Sequence, residues 1–204
     1  MQKRADDKVT AVKRIDPARC SAVIVDLQGF FLSQIDPRLR ARVKTNTANF
    51  ARLVGAFGIP VVVTLERPVG IKGALPKEIA RRLPTGAKTF EKDFFDLTKD
   101  AKIKSHLARL KHRQVIVAGC ETDVCVMQSC LGLVALGYEV YVMEELIFSS
   151  AQDIDAALAR MRDAGCVFLT YKMLYYELVA SVEGPGERFD VFGPFPEDLP
   201  DAAR

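Results

Sequence analysis

The chain of 204 residues has no tryptophan, only two histidines, and five cysteines without a C-x-x-C pair. His106 and His112 both fall in or just after a predicted helix, where solvated surface positions are expected. Because zinc sites usually combine closely spaced cysteines and histidines, no metal site and no cofactor are expected. The odd number of cysteines likewise argues against a disulfide framework.

Long apolar runs and an excess of one charge are also missing. No stretch approaches the roughly 20 apolar residues of a membrane helix, and the first 19 residues contain no apolar signal region. The 29 basic and 26 acidic residues are interspersed, so no basic face is predicted for nucleic acid. These absences predict a cytoplasmic protein that binds neither membranes nor nucleic acid.

Strand and helix patterns alternate along the whole chain, which is typical of a doubly wound parallel sheet. We therefore expect a three-layer α/β/α fold with a six-stranded, mostly parallel, Rossmann-like sheet. The predicted strands are 21–27, 59–65, 89–95, 113–118, 138–143 and 166–170, and the main predicted helices are 38–57, 99–110, 124–136, 154–164 and 173–180.

A single domain, 1–204, is predicted, with its core at about 18–180. It is flanked by a polar N-terminal arm, 1–17, and a tail rich in proline and glycine, 183–204, which we expect to dock on the domain or on a second subunit. Residues 67–88 form a long loop with one helical turn expected near 77–83. Largely apolar helices such as 124–136 also favour a homo-oligomer.

The segment 118–126 contains the clearest chemical signal, because it places Cys125 just inside a helix that follows a buried strand. A helix N-terminus offers unpaired N–H groups and partial positive charge, which favour a thiolate and can hold an oxyanion. This segment is therefore a candidate nucleophile turn, although cysteines in apolar helices often simply pack.

Two charged residues fall at the ends of other predicted strands. Asp26 closes the first strand, and Lys92 lies in the third, with Lys88 as the competing lysine four residues earlier. A cysteine that attacks a carbonyl carbon needs a base for its proton and a cation that stabilises its thiolate. Asp26, Lys92 and Cys125 together would meet both needs at the carboxyl edge of one sheet.

The chain resembles the isochorismatase-like cysteine hydrolases over about residues 18–180. The matching motifs are Val-Asp-Leu-Gln at 25–28, Glu-Lys-x-x-Phe at 91–95, and Gly-x-x-Thr-x-x-Cys-Val at 119–126, followed by Gly-Tyr-x-Val at 137–140. The resemblance implies a triad of Asp26, Lys92 and Cys125, and an oxyanion hole formed by the backbone amides of Glu121 and Cys125. It also implies a cis peptide bond between Cys120 and Glu121 and a metal-independent subgroup.

Further site residues are implied by the same motifs or by aromatic side chains near strand ends. We expect Gln28, Phe31, Phe95 and Thr122 to contact the substrate, and Phe30, Phe94 and Phe148 are further candidates for pocket walls.

The predicted activity is hydrolysis of a small amide or related C–N bond through an acyl-thioester on Cys125. Hydrolysis of nicotinamide is not expected, because the chain lacks histidines near the site. Two alternatives remain open: a catalytically silent interaction module of the same fold, and a thiol redox sensor that pairs Cys125 with Cys120 or Cys130.

Overall fold

The structure, a computed structural model, describes residues 13–181 and contains one six-stranded sheet. All five strand pairings are parallel, and the strand order is β3-β2-β1-β4-β5-β6. The six predicted strands are thus confirmed, and "mostly parallel" becomes all-parallel. Their observed bounds are β1 Cys20–Val25, β2 Val61–Glu66, β3 Lys88–Lys92, β4 Gln114–Cys120, β5 Glu139–Phe148 and β6 Val167–Leu169.

The sheet order reverses between β1 and β4, which lie side by side at its centre. After β1, the strands β2 and β3 are added one after the other toward one edge of the sheet. After β4, which lies on the other side of β1, β5 and β6 are added toward the opposite edge. Both central strands are wholly buried, because their continuous apolar runs are covered on both faces. In such a sheet the ligand crevice lies at the carboxyl ends of the strands on either side of the reversal.

Helices cover both faces of the sheet and produce the predicted three layers. The helices are α1 Gly29–Leu32, α2 Pro37–Ala56, α3 Val69–Lys72, α4 Lys77–Ala80, α5 Ala101–Leu110, α6 Met127–Ala135, α7 Asp155–Asp163 and α8 Tyr171–Val179. One apolar core packs α2 and α8 against the face with Ala22 and Ile24, and the other packs α5, α6 and α7 against the face with Val23 and Val25.

Local sequence signals account for several of these helix ends. Asp36 caps α2 by accepting hydrogen bonds from the backbone of Arg38 and Leu39, with Pro37 in the first turn. Asp100 caps α5 in the same way. The turn α4 lies inside the predicted 77–83, whereas the short α1 and α3 were not predicted.

Strand β5 is five residues longer at its carboxyl end than its predicted span, 138–143. Its register against β4 shifts between Val117 and Gly119, so that residues 143–146 have no partner in β4, and pairing resumes with Gly119 opposite Ile147. The exposed Glu144 and Glu145 interrupt the apolar run, which is why the sequence indicated an earlier end.

The described part of the predicted N-terminal arm packs on the domain. The backbone N–H of Ile15 donates to Glu177, and that of Asp16 donates to Gln114. Ile15 is itself buried. Residues 15 and 16, which fall within the predicted arm of 1–17, are therefore held against the domain by part-buried polar contacts. The rest of the arm, 1–12, and the tail, 183–204, lie outside the described residues.

None of the helices in residues 13–181 combines the length and apolar character that crossing a bilayer requires.

Candidate active site

Asp26 lies directly after β1, at the point where the sheet order reverses. Its backbone φ is +46°, a left-handed conformation that aspartate tolerates better than most residues. The hydroxyl of Thr64, on the neighbouring β2, donates to Oδ1 of Asp26 at 2.8 Å. The backbone N–H of Asp26 donates to the carbonyl of Thr64 at 3.0 Å. Strand β2 therefore holds the Asp26 carboxylate in one orientation.

Lys92 is the last residue of β3, and its side chain is fully buried. Its Nζ lies 2.6 Å from Oδ2 of Asp26 and donates to the carbonyl of Phe94 at 2.9 Å. Lys88 begins the same strand and is exposed. Of the two candidate lysines, the structure brings Lys92 to Asp26.

Cys125 lies in a π-helical turn, Thr122–Val126, between β4 and α6. Nζ of Lys92 is 3.7 Å from its Sγ, so one ammonium contacts both the thiol and Asp26. The turn lies close to β1 because Gly119 has no side chain: a Cβ there would lie 2.0 Å from the carbonyl oxygen of Val25. Gly119 also has φ +124°, which favours glycine.

The peptide bond between Cys120 and Glu121 is cis, as is that between Arg67 and Pro68. The carbonyl of Glu121 accepts hydrogen bonds from the backbone of Val124 and Val126, so the turn around Cys125 folds back on Glu121. The Glu121 carboxylate accepts a hydrogen bond from the backbone N–H of Ser150, 3.1 Å away, beyond β5. These bonds hold Glu121 against the turn that contains Cys125, so that the two predicted oxyanion-hole residues lie close together.

Glu66, the last residue of β2, is a site residue that the sequence analysis missed. The thiol of Cys125 donates to Oε2 of Glu66 at 3.1 Å, and Oε1 pairs with Nζ of Lys72 on α3. Glu66 is only 8% exposed. Its position in the sequence could have identified it. Glu66 lies at the carboxyl end of β2, just as Asp26 and Lys92 lie at the carboxyl ends of β1 and β3.

The electrostatics of the two carboxylates differ. Burial raises the pKa of Asp26 above its ordinary value, although Lys92 and Thr64 oppose the shift. For Glu66, burial acts in the same direction but is outweighed by hydrogen bonds from Lys72 and Cys125, so that its pKa is lowered. Of the two carboxylates, Asp26 therefore binds a proton more readily than Glu66.

The surroundings of Cys125 favour its protonated thiol, because they raise its pKa. Burial raises its pKa far above the ordinary value, Asp26 and the hydrogen bond to Glu66 raise it further, and Lys92 opposes them. From the sequence, a helix N-terminus and a nearby lysine are expected to favour the thiolate of Cys125. That expectation is wrong for the resting site, because burial and two nearby carboxylates outweigh one ammonium.

The remaining predicted site residues occupy different environments. Gln28 is fully buried, and its amide group donates to the carbonyls of Glu66 and Gly73 and accepts from the N–H of Glu66. These hydrogen bonds fix the amide group of Gln28 against Glu66 and Gly73, and its predicted contact with the substrate stays a prediction. Thr122 is also fully buried, and its hydroxyl has no hydrogen-bond partner among residues 13–181.

The aromatic candidates divide into two groups. Phe30, Phe94 and Phe95 are about half exposed, at 44%, 51% and 50%. Phe31 and Phe148 are buried, with Phe31 edge-on to Phe30 and its ring centre 5.8 Å from Nζ of Lys72. The exposed group is therefore better placed than the buried one to contact a ligand from solvent.

Asp26, Glu66 and Cys125 are the residues whose donor atoms could hold a metal ion within the described range, since these atoms lie within 4.8 Å of one another. A cation there would compete with Lys92 for Asp26 and with Lys72 for Glu66. The two ammonium groups already supply the positive charge that these carboxylates need, so the donor set does not fit a metal well.

Comparison with known proteins places the chain in a family. Residues 21–173 match the family model of the isochorismatase domain. Isochorismatase domain-containing protein 2 of Bos taurus is 27% identical over 176 residues, which cover 86% of this chain and 82% of the bovine protein.

Two solved structures show the same fold. A structure described as MAR1 ribonuclease from Caenorhabditis elegans has a TM-score of 0.77 at 26% identity, covering 85% of this chain and 88% of that one. YcaC from Pseudomonas aeruginosa, solved with hexane-2,5-diol and covalent acrylamide, has a TM-score of 0.80 at 24% identity, covering 88% and 90%. With three quarters of its length matched by the family model, the chain belongs to the isochorismatase family of hydrolases.

Proposed function

We propose that the chain is a cysteine hydrolase that cleaves a small amide or related C–N bond through an acyl-thioester on Cys125. The observation that carries this proposal is the position of the fully buried Lys92, with Nζ 2.6 Å from the Asp26 carboxylate and 3.7 Å from the Cys125 sulfur. A base, a cation and a nucleophile converge there, as acyl transfer to sulfur requires.

In the first half of the reaction, Sγ of Cys125 attacks the carbonyl carbon while its proton moves to Asp26. The raised pKa of Asp26 suits this transfer, and Lys92 stabilises the sulfur as it becomes anionic. The backbone N–H groups of Glu121 and Cys125 would stabilise the oxyanion. When the intermediate collapses, the C–N bond breaks, Asp26 returns the proton to nitrogen, and an amine or ammonia leaves.

In the second half, a water molecule attacks the thioester. Asp26 accepts a proton from that water, the C–S bond breaks, and the proton returns to the sulfur of Cys125. The products are a carboxylic acid and the free thiol, so one carboxylate serves as base and then as acid in each half. No cofactor and no metal ion take part in this scheme.

Phosphodiester cleavage, which the name of the C. elegans neighbour suggests for that protein, has less support here. The carboxylates of Asp26 and Glu66 both face the thiol, within 4.8 Å of its sulfur, and would oppose an anionic phosphodiester. A neutral small molecule is the better candidate.

The two other predicted functions also have less support. In an interaction module the desolvation of Asp26 and Lys92 would cost free energy without a compensating use. For a redox sensor, the predicted resolving partners form thiolates poorly. Burial raises the pKa of Cys120, whose thiol donates to the carbonyl of Asp26, and the hydrogen bond with Cys166 followed by burial raises the pKa of Cys130.

A homo-oligomer remains part of the proposal. Three large apolar side chains are 44% to 48% exposed and would gain from burial in an interface: Leu136, directly after α6, and Met173 and Tyr176 on α8.

The proposal is tested by screening small primary amides for ammonia release. Wild-type protein should hydrolyse at least one of them, whereas Cys125→Ser and Lys92→Met should lose turnover. Lys88→Met, which changes the exposed lysine at the other end of β3, is the matched control and should keep it. Turnover that persists in Cys125→Ser would overturn the proposal.

A further inference from the structure

Glu66 is not needed for the proton transfers proposed above, yet it makes the shortest hydrogen bond to the nucleophile. Its Oε2 accepts the thiol of Cys125 at 3.1 Å, whereas Lys92 is 3.7 Å from the same sulfur. A carboxylate this close to a nucleophile opposes thiolate formation, because it faces a second negative charge. Glu66 therefore needs another role at the site that compensates for this opposition to the thiolate.

The position of Glu66 is held from several sides. The side chain of Gln28, fully buried, accepts from the backbone N–H of Glu66 at 2.8 Å and donates to its carbonyl at 3.1 Å. The second amide hydrogen of Gln28 donates to the carbonyl of Gly73 at 2.7 Å, directly after α3. Because α3 carries Lys72, Gln28 holds Glu66 and its ammonium partner in a fixed relation.

The two carboxylate oxygens of Glu66 have different partners. Oε1 pairs with Lys72, and Oε2 is bonded to the Cys125 thiol. When the sulfur attacks, it gives up its proton and can no longer donate. Oε2 then lies against an anionic sulfur and has lost its donor, in a residue that is only 8% exposed. A buried acceptor left without a donor is costly, so another N–H or O–H is needed there.

We infer that Glu66 is a specificity-determining residue, whose Oε2 accepts a hydrogen bond from an N–H next to the carbonyl group that Cys125 attacks. This inference rests on Cys125 as the nucleophile of the proposed function. An amide nitrogen bonded to the attacked carbon comes to about 3 Å from the sulfur, which is also the distance of Oε2. The N–H of an amide can replace the Cys125 thiol as the donor to Oε2 of Glu66. An ester has only an oxygen at that position, which accepts but cannot donate. The site therefore takes primary or secondary amides in preference to esters of the same shape.

The inference is tested with two alkylating probes that differ by one group, N-methyl-2-iodoacetamide and methyl iodoacetate. In both reactions the sulfur of Cys125 bonds to the CH₂ carbon, iodide leaves with the bonding electron pair, and the thiol proton passes to Asp26 or solvent. The second-order rate constants for Cys125, followed by mass spectrometry, are each divided by the value for glutathione. This division removes the intrinsic reactivity of the probe.

In the wild type, the normalised amide-to-ester ratio should exceed that of glutathione by about tenfold or more, as one lost hydrogen bond predicts. Glu66→Gln should bring the ratio close to that of glutathione, because a carboxamide accepts and donates about equally well. Glu78→Gln removes a carboxylate that pairs with Lys44 far from the thiol, and should keep the wild-type ratio. A wild-type ratio equal to that of glutathione, or an undiminished ratio in Glu66→Gln, overturns the inference.

The wild-type comparison stands by itself if Glu66→Gln fails to fold. Failure of the inference can also be told apart from failure of the proposed function. Amide preference without any amide turnover would count against hydrolysis alone, whereas turnover without the preference would count against the role of Glu66 alone.

Discussion

Nζ of Lys92 lies 2.6 Å from Oδ2 of Asp26, and both side chains are fully buried. Such a pair gains Coulomb energy but loses the hydration of two ions, so that well-packed apolar residues would often be at least as stable. The 3.7 Å contact from the same ammonium to Cys125 gives the pair a chemical use. We therefore regard Asp26 and Lys92 as one proton-handling unit beside the proposed nucleophile.

Lys92→Met should destabilise the protein strongly, because it leaves the Asp26 carboxylate buried without its ammonium. The expected loss is about 3 to 5 kcal/mol in the free energy of unfolding, measured with denaturant. The matched control Lys88→Met alters an exposed residue of the same strand and should stay within about 0.5 kcal/mol of the wild type. Equal stability of the two variants would mean that the buried ion pair is not formed.

The stability contribution of Asp26 should fall as the pH rises. Its pKa is raised in the folded state, so the native protein holds this proton more tightly than the unfolded chain. Stability is then lost from the ordinary carboxyl value of 3.8 up to the raised folded pKa. The measurement is denaturant unfolding of the wild type and of Asp26→Asn at a series of pH values. The free energy of unfolding of the wild type should fall relative to that of Asp26→Asn as the pH rises. A difference that grows in favour of the wild type with rising pH would contradict the raised pKa.

Cys125 should titrate above the ordinary thiol value of 9.0, because burial and two carboxylates raise its pKa. The measurement is the ultraviolet absorbance of the thiolate as a function of pH, taken as the difference between the wild type and Cys125→Ser. Glu66→Gln should move the transition to lower pH, since it removes one carboxylate and its hydrogen bond. Glu78→Gln, the distant control, should leave it unchanged, and a wild-type transition below 9.0 would refute the account of the resting thiol.

Gly119→Ala should unfold the protein or cost more than about 4 kcal/mol, because the new Cβ would lie 2.0 Å from the carbonyl oxygen of Val25. The control is Gly58→Ala, at a position that also has positive φ, +71°, but with no heavy atom within 4 Å of the new Cβ. That variant should lose only the conformational cost of about 1 to 2 kcal/mol. Similar losses in both variants would mean that β1 and the nucleophile turn are not in close contact.

Much of the fold and two residues of the candidate site could be predicted from the sequence for physical reasons. Asp26 and Cys125 stand where buried apolar runs stop, and the carboxyl ends of parallel strands meet at one edge of the sheet. Lys92 required the family motif, because a lysine between charged residues is otherwise expected on the surface.

Glu66 was missed for the same reason that Lys92 needed a motif. The β-branched run indicated an end of β2 at residue 65, and a glutamate beyond it is ordinarily solvated. Its burial depends on Gln28 and Lys72, two residues whose approach only the folded chain reveals. The raised pKa of Cys125 could not be predicted either, since its sign depends on how many carboxylates surround the thiol.

The central claim, that Cys125 carries the acyl group, is tested most directly by mass spectrometry of the protein during turnover of an amide found in the screen. The account predicts a mass increase equal to the acyl group, mapped to the peptide that contains Cys125 and removed by hydroxylamine, and no such adduct in Cys125→Ser. Turnover of the amide without any adduct on Cys125, or at an unchanged rate in Cys125→Ser, would contradict it.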